Sequence, residues 1–221
     1  MITGELILVR HGEAQCNADG VVGGPRTCTG LTPLGRRQME IAAARLAQSH
    51  GADRSIDVLY AGPRRRLQES GAILSRHLAR PLITEPGLDG PHHGAADGLR
   101  WQEVKEAFGG GPHAHPDRPW AEGAESWNGY LARAGAALRA LLHRHPGQRV
   151  LLSVHGETVS AAHALMLGAL PGPEVGLVVD HASITVWQHH RNALGADRWL
   201  LDRHNDASHL RCDRPGGGKP C

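Results

Sequence analysis

Short apolar runs alternate with stretches of helical period along most of this 221-residue chain. That alternation restricts the fold more than any other feature. Residues 5–9 read as a buried strand. Thr32 then offers an N-cap, with Pro33 at the first helical position, where its missing N–H costs nothing. Met39, Ala43 and Leu46 recur at i, i+4 and i+7, which predicts a helix to about residue 48. Residues 56–60 predict a second strand. Pro63 opens a second helix with Leu67, Gly71, Leu74 and Leu78 on one face, and residues 81–84 suit a short edge strand. Ser126 caps a long helix whose inward stripe is Trp127, Leu131, Ala134, Leu138 and Leu142. Residues 150–154 form the next buried run, followed by a helix over about 158–167 and two final strands at 184–188 and 199–201. Such alternation implies an α/β fold, a three-layer α/β/α sandwich with a mostly parallel central sheet.

Residues 86–124 break the rhythm. They are rich in Gly, Pro and His and hold little periodicity beyond a short helix over 101–108. A loop of this length inside a compact domain is functional or disordered, and it reads as an insertion over a site. The expectation is one domain over 1–210 carrying this insertion, with a disordered glycine-rich tail over 211–221.

Composition excludes several classes. Hydrophobic content is 40%, as in globular proteins. No apolar run is long enough to span a bilayer, and a first strand beginning near residue 5 leaves no room for a signal peptide. A cytoplasmic location is expected, with no membrane partner. A formal net charge of +2 gives no general argument for nucleic acid, and the local cluster Arg64-Arg65-Arg66 suits a small anion. Cys16, Cys28, Cys212 and Cys221 lack CxxC spacing, so free thiols are expected, with a bond between Cys212 and Cys221 left open. The 16 histidines cluster at 92–93, 113/115, 143/145 and 189–190 without HExxH spacing or matching carboxylates. They predict solvated side chains and no metal site or cofactor. No apolar stripe settles the oligomeric state, and a homodimer stays open.

The chemistry-bearing residues lie at strand ends, where open α/β sheets present reactive groups. The first strand ends in Arg10-His11-Gly12, the fourth in His155-Gly156. Phosphoryl transfer to a side chain needs a neutral nucleophile, cations for the equatorial oxygens and an acid for the leaving oxygen. Imidazole suits the first task and guanidinium the second. The two histidines would share one rim if their strands are neighbours.

The motif Leu8-Val9-Arg10-His11-Gly12-Glu13, with Asn17 and Leu31-Thr32-Pro33-Leu34-Gly35, resembles the opening of the histidine phosphatase (phosphoglycerate mutase-like) superfamily. Further matches follow in order: Tyr60-Ala61-Gly62-Pro63-Arg64-Arg65-Arg66, the glycine pair Gly94 and Gly98, Val154-His155-Gly156, and Asn205-Asp206-Ala207-Ser208-His209-Leu210. The resemblance implies His11 as nucleophile through phosphohistidine, with Arg10, Arg66 and His155 as the phosphoryl clamp. It selects Arg66 among the three arginines and leaves Arg64 and Arg65 on a solvated face or rim. Candidate substrate contacts are Asn17, Glu13, Thr29 and Gly156, with Glu13 either orienting Arg10 or exposed. Trp127, Trp187 and Trp199 read as core, whereas Trp101 and Trp120 could meet substrate.

The chain departs from that pattern where the family's usual acid falls. The position is Gly90, so Asp89 and Glu157 are the alternatives for a general acid, with Asp89 preferred. Cys28 stands where many relatives have aspartate, with no physical account. The insertion also lacks the dense basic contacts expected for a bisphosphorylated sugar acid. The expected activity is hydrolysis of a small phosphorylated metabolite. A phosphomutase, and a binding module that lost turnover, are the alternatives.

Overall fold

The computed structural model describes residues 1–49, 55–169 and 174–211. Strand β1 (Ile2–Arg10) is apolar on both sides because both faces are covered. Leu6 and Leu8 face one core, Ile7 and Val9 the other. The helices follow as α1 (Gln15–Ala18), α2 (Pro33–Ser49), α3 (Arg65–Leu78), α4 (Trp101–Phe108), α5 (Trp127–Arg144) and α6 (Gly156–Leu167). The remaining strands are β2 (Val58–Ala61), β3 (Leu82–Thr84), β4 (Arg149–Val154), β5 (Ile184–Arg191) and β6 (Asp197–Asp206).

The sheet order is β3-β2-β4-β1-β5-β6. Helices α5 and α6 cover one face, where Tyr130, Leu138 and Val159 meet Leu6, Leu8, Val150 and Leu152. Helices α2 and α3 cover the other, where Met39, Leu46 and Leu74 meet Ile7, Val9, Leu59 and Leu151. The sandwich is as expected, and four strands are mutually parallel. The sheet is nonetheless mixed, since β5 runs antiparallel to both β1 and β6. No helix separates these last two strands, so they close as a hairpin instead of crossing over.

Local signals account for most boundaries. The Ser126 hydroxyl accepts from the Gly129 N–H and caps α5. Thr32 accepts from the Gly35 N–H at 2.9 Å and starts α2. Helix α3 begins later than Pro63 suggested. Arg64 is its N-cap, with extended backbone at φ −64° and ψ 141°. The region 86–124 is ordered by a small core of its own. Val22, Ala96 and Val104 pack there under Trp101 and Trp120. Asp97 fastens this region to the loop after α1, accepting from the Gly24 N–H at 2.8 Å and the Arg26 N–H at 3.0 Å. Cys212, Cys221 and the tail beyond Arg211 lie outside the described residues. Among the described residues no helix is long and apolar enough to cross a membrane.

Candidate active site

Strands β1 and β4 are parallel neighbours, with Arg10 beside Val154 in register. Their carboxyl ends therefore bring His11 and His155 together, with ring centroids 5.4 Å apart and planes at 79°. The His11 N–H donates to the Val154 carbonyl at 2.9 Å and fixes the junction. Both rings are buried, at 3% and 1% exposure.

The His11 Nδ1 lies 2.7 Å from the Gly12 carbonyl oxygen. A carbonyl only accepts, so Nδ1 carries the proton and Nε2 keeps its lone pair. Burial, then the guanidinium groups of Arg66 and Arg10, hold this imidazole well below its usual range. His11 is thus a neutral base at neutral pH. Burial and the charges of Arg66 and Arg64 do the same to His155. Its buried Nε2 has no partner among the described residues, as expected of a group aimed at a ligand.

Gly12 sets this geometry by its lack of a side chain. A Cβ there would lie 2.1 Å from the Gly35 carbonyl oxygen. The loop after β1 and the first turn of α2 therefore touch backbone to backbone.

The cations come from two places, the end of β1 and the start of α3. Arg10, at the end of β1, donates to the Val179 carbonyl. Its second terminal nitrogen lies 3.1 Å from His181 Nε2, and its buried Nε is unpartnered. Arg66, in the first turn of α3, is buried and donates to the Gly23 carbonyl at 2.9 Å, leaving its Nε unpartnered. Arg65 is solvent-exposed and pairs with Glu69, so the choice of Arg66 over Arg65 matches the burial. Arg64 corrects the expectation of a solvated residue. Its side chain is 1% exposed and paired with Asp89 at 2.7 Å. It also donates to Gly23 at 2.9 Å and Pro91 at 2.6 Å. Its extended N-cap backbone takes it out of the helical wheel, so the segment that the family resemblance aligned does not leave it on the solvated face.

The two acid candidates separate. The Asp89 carboxylate is held by Arg64 and by the Gly90 N–H at 2.8 Å. Glu157, in the first turn of α6, is half-buried and has no hydrogen bond or ion pair among the described residues. It lines the same cavity as Arg10 and Gly156. Gly90 backs directly onto the site: a Cβ there would lie 2.8 Å from His155 Nε2.

The substrate-contact candidates divide as well. Asn17 reaches the site, with Oδ1 3.2 Å from His181 Nε2 and 3.1 Å from the Ala14 N–H it accepts. Gly156 starts α6 beside Arg10, where an added Cβ would meet Arg10 Nε at an ordinary 3.5 Å. Glu13 does not orient Arg10. Its carboxylate accepts from the Thr32 hydroxyl at 2.8 Å and so fastens the start of α2. Thr29 is solvent-exposed, with no hydrogen bond among the described residues.

The sequence motifs did not point to His181, whose ring lies 5.8 Å from that of His11. Burial and Arg10 push it down to about 4. Carboxyl ends of parallel strands mark the rim in the sequence, whereas β5 is antiparallel and brings its amino end to the same place. His93, expected to be solvated, is buried, stacked on Trp120 at 5.3 Å and pushed down to about 3 by burial and Arg64. Trp127 packs on the core, as expected, and also lines the cavity beside Glu157. Among the described residues no group of three or more His, Cys, Asp or Glu could hold a metal ion.

The rim joins two neutral imidazoles to buried guanidiniums, an arrangement whose chemistry suits a phosphate group. Comparison with known proteins agrees. The model of the histidine phosphatase superfamily (branch 1) matches residues 6–206, and the chain belongs to that family as a phosphatase. It is 28% identical over 211 residues to a metal-independent phosphoserine phosphatase of Arabidopsis thaliana, covering 93% of this chain and 83% of that protein. The fold is shared with mycobacterial glucosyl-3-phosphoglycerate phosphatase in complex with VO3, with TM-score 0.73 and 24% identity over 91% and 98% of the two chains. It is also shared with a phosphoserine phosphatase of Entamoeba histolytica, with TM-score 0.75 and 20% identity over 94% and 99%.

Proposed function

We propose that this protein hydrolyses a small phosphate monoester through a phosphohistidine at His11. The observation that carries the reading is the Nδ1–H bond to Gly12, which leaves Nε2 a neutral lone pair among cations. In the first step Nε2 attacks phosphorus, an N–P bond forms and the ester P–O bond breaks. Protonated Glu157 gives its proton to the departing oxygen. In the second step Glu157, now a carboxylate, takes a proton from water as that water attacks phosphorus. The N–P bond breaks, and inorganic phosphate leaves with His11 neutral again.

Arg10 and Arg66 spread the charge of the equatorial oxygens. The unpartnered His155 Nε2 and the His181 ring complete the anion-binding wall. Asp89 serves to hold Arg64 and thereby the backbone at Gly90. Glu157 is the donor because its carboxylate makes no ion pair among the described residues and lines the open cavity, whereas that of Asp89 is committed to Arg64.

Incubation with a radiolabelled ester, followed by an alkaline quench, tests the reading. Acid-labile, base-stable label on His11 is expected, with none on His11→Asn. Hydrolysis that proceeds normally in His11→Asn would sink it.

A further inference from the structure

Arg10, one cation of the phosphoryl clamp, also lines a cavity of about 610 Å³. Arg10, Gly156 and Glu157 form its floor. Its walls come from α4, the turn after it, the start of α5 and the irregular segment 174–180. The apolar lining is Trp101, Pro112, Trp127, Val175, Leu177 and Val179. Only one cation stands away from the floor. This is Lys105, the sole lysine among the described residues, with Nζ 5.7 Å from the Trp101 ring centroid.

Two features suit these walls to a ligand. Trp101 is held edge-on by Trp120 at 5.1 Å and by His93 at 5.9 Å, so its ring is fixed before anything binds. Across the cavity, Val175 and Leu177 are 60% and 38% exposed in a run with no regular structure. Contiguous exposed apolar side chains beside a catalytic cleft mark a contact surface, and pockets of this size suit a ligand larger than a three-carbon acid.

Charge points the same way. A phosphorylated hydroxy acid carries a carboxylate close to its phosphate. Here that carboxylate would meet mainly apolar walls with Lys105 as their one cation, because Arg10 is committed to the phosphoryl group. An uncharged ring system meets no such penalty.

Resting on the reading of this protein as a phosphatase at His11, we infer that the cavity is its leaving-group subsite. It takes a large, mainly apolar aromatic alcohol, and Trp101 and Leu177 determine specificity. The experiment compares 1-naphthyl phosphate with phosphoserine and 3-phosphoglycerate in the wild type, Trp101→Ala and Leu177→Ser. Leu177 is exposed in an irregular segment, so its replacement leaves folding intact should Trp101→Ala fail to fold. The expected wild-type kcat/KM favours the naphthyl ester at least tenfold. Leu177→Ser should raise KM for it about fivefold with kcat within twofold, and leave phosphoserine unchanged.

Equal or better turnover of the two acids, abolished by His11→Asn, overturns the subsite and keeps the phosphatase. Variants that weaken all three esters alike overturn the subsite in the same way. If no ester is hydrolysed, binding of 1-naphthyl phosphate by tryptophan fluorescence decides. Binding weakened by Leu177→Ser supports the subsite and overturns turnover at His11, and absence of binding overturns both.

Discussion

The contact between Gly12 and Gly35 carries a sharp consequence. In Gly12→Ala the new methyl would lie 2.1 Å from the Gly35 carbonyl oxygen and 2.7 Å from its carbon, where ordinary contact begins at 3.4 Å. Both sides are backbone, so no side chain can swing away. The reverse contact is as tight, because a Cβ on Gly35 would lie 2.0 Å from the Glu13 carbonyl oxygen. The two segments must therefore separate by roughly 1 Å. Overpacking of this kind costs about 1–3 kcal/mol, which lowers Tm by roughly 2–12 °C in a chain of this size. Displacing Gly12 moves its own carbonyl, which holds His11 Nδ1. A shift of about 1 Å in a reacting group reduces turnover on the order of 10²-fold. Circular dichroism melting and phosphate release, measured well below the lowered Tm, check both effects together. Wild-type kcat in a variant that is folded at the assay temperature would refute the link between this packing contact and the aim of the nucleophile.

Glu157→Gln should lower kcat about 10²–10⁴-fold for alkyl esters and far less for an aryl ester whose leaving group departs unprotonated; equal loss on both would remove Glu157 as proton donor. Asp89→Asn strips the buried Arg64 of its carboxylate and should cost about 3–5 kcal/mol in urea unfolding with kcat of the folded enzyme within about tenfold, whereas a complete loss of turnover at unchanged stability would make Asp89 the acid. His11, His93 and His155 are all held below the usual imidazole value of 6.5. The unfolded chain therefore binds more protons than the native one as pH falls below that value, and stability should drop there by up to about 1.4 kcal/mol per pH unit for each histidine; denaturant titrations at pH 7.5 and 5.5 that coincide would contradict it. Because His11 stays neutral, kcat/KM should hold from pH 7.5 to about pH 6, a range in which a titrating nucleophile would already lose activity.

What the sequence determined by itself is local in origin. Apolar period placed β1, β4 and α4, because residues buried on both sides of a sheet, or on one side of a helix, leave their spacing in the chain. Caps at Thr32 and Ser126 are written in single residues. Arg10-His11 and His155 were legible because a strand end followed by glycine is a short motif. Arg66 was legible once its segment resembled a known family.

Only the tertiary structure decided the rest, and the reason is that it depends on which chain segments meet. The antiparallel turn of β5 is a matter of connection, not of spacing, and it alone brings His181 beside His11. The choice between Asp89 and Glu157 rests on a cation that arrives from 25 residues away to claim the first and leaves the second free. Arg64, which the family resemblance left on a solvated face or rim, is interior because its N-cap backbone is extended and its guanidinium meets Asp89, Gly23 and Pro91. Glu13 sits close to Arg10 in the chain yet bonds Thr32, since the backbone past the strand end turns its side chain toward the start of α2. Residues 86–124 carry too few apolar groups to announce a core, and the one they form closes only when Val22 joins it.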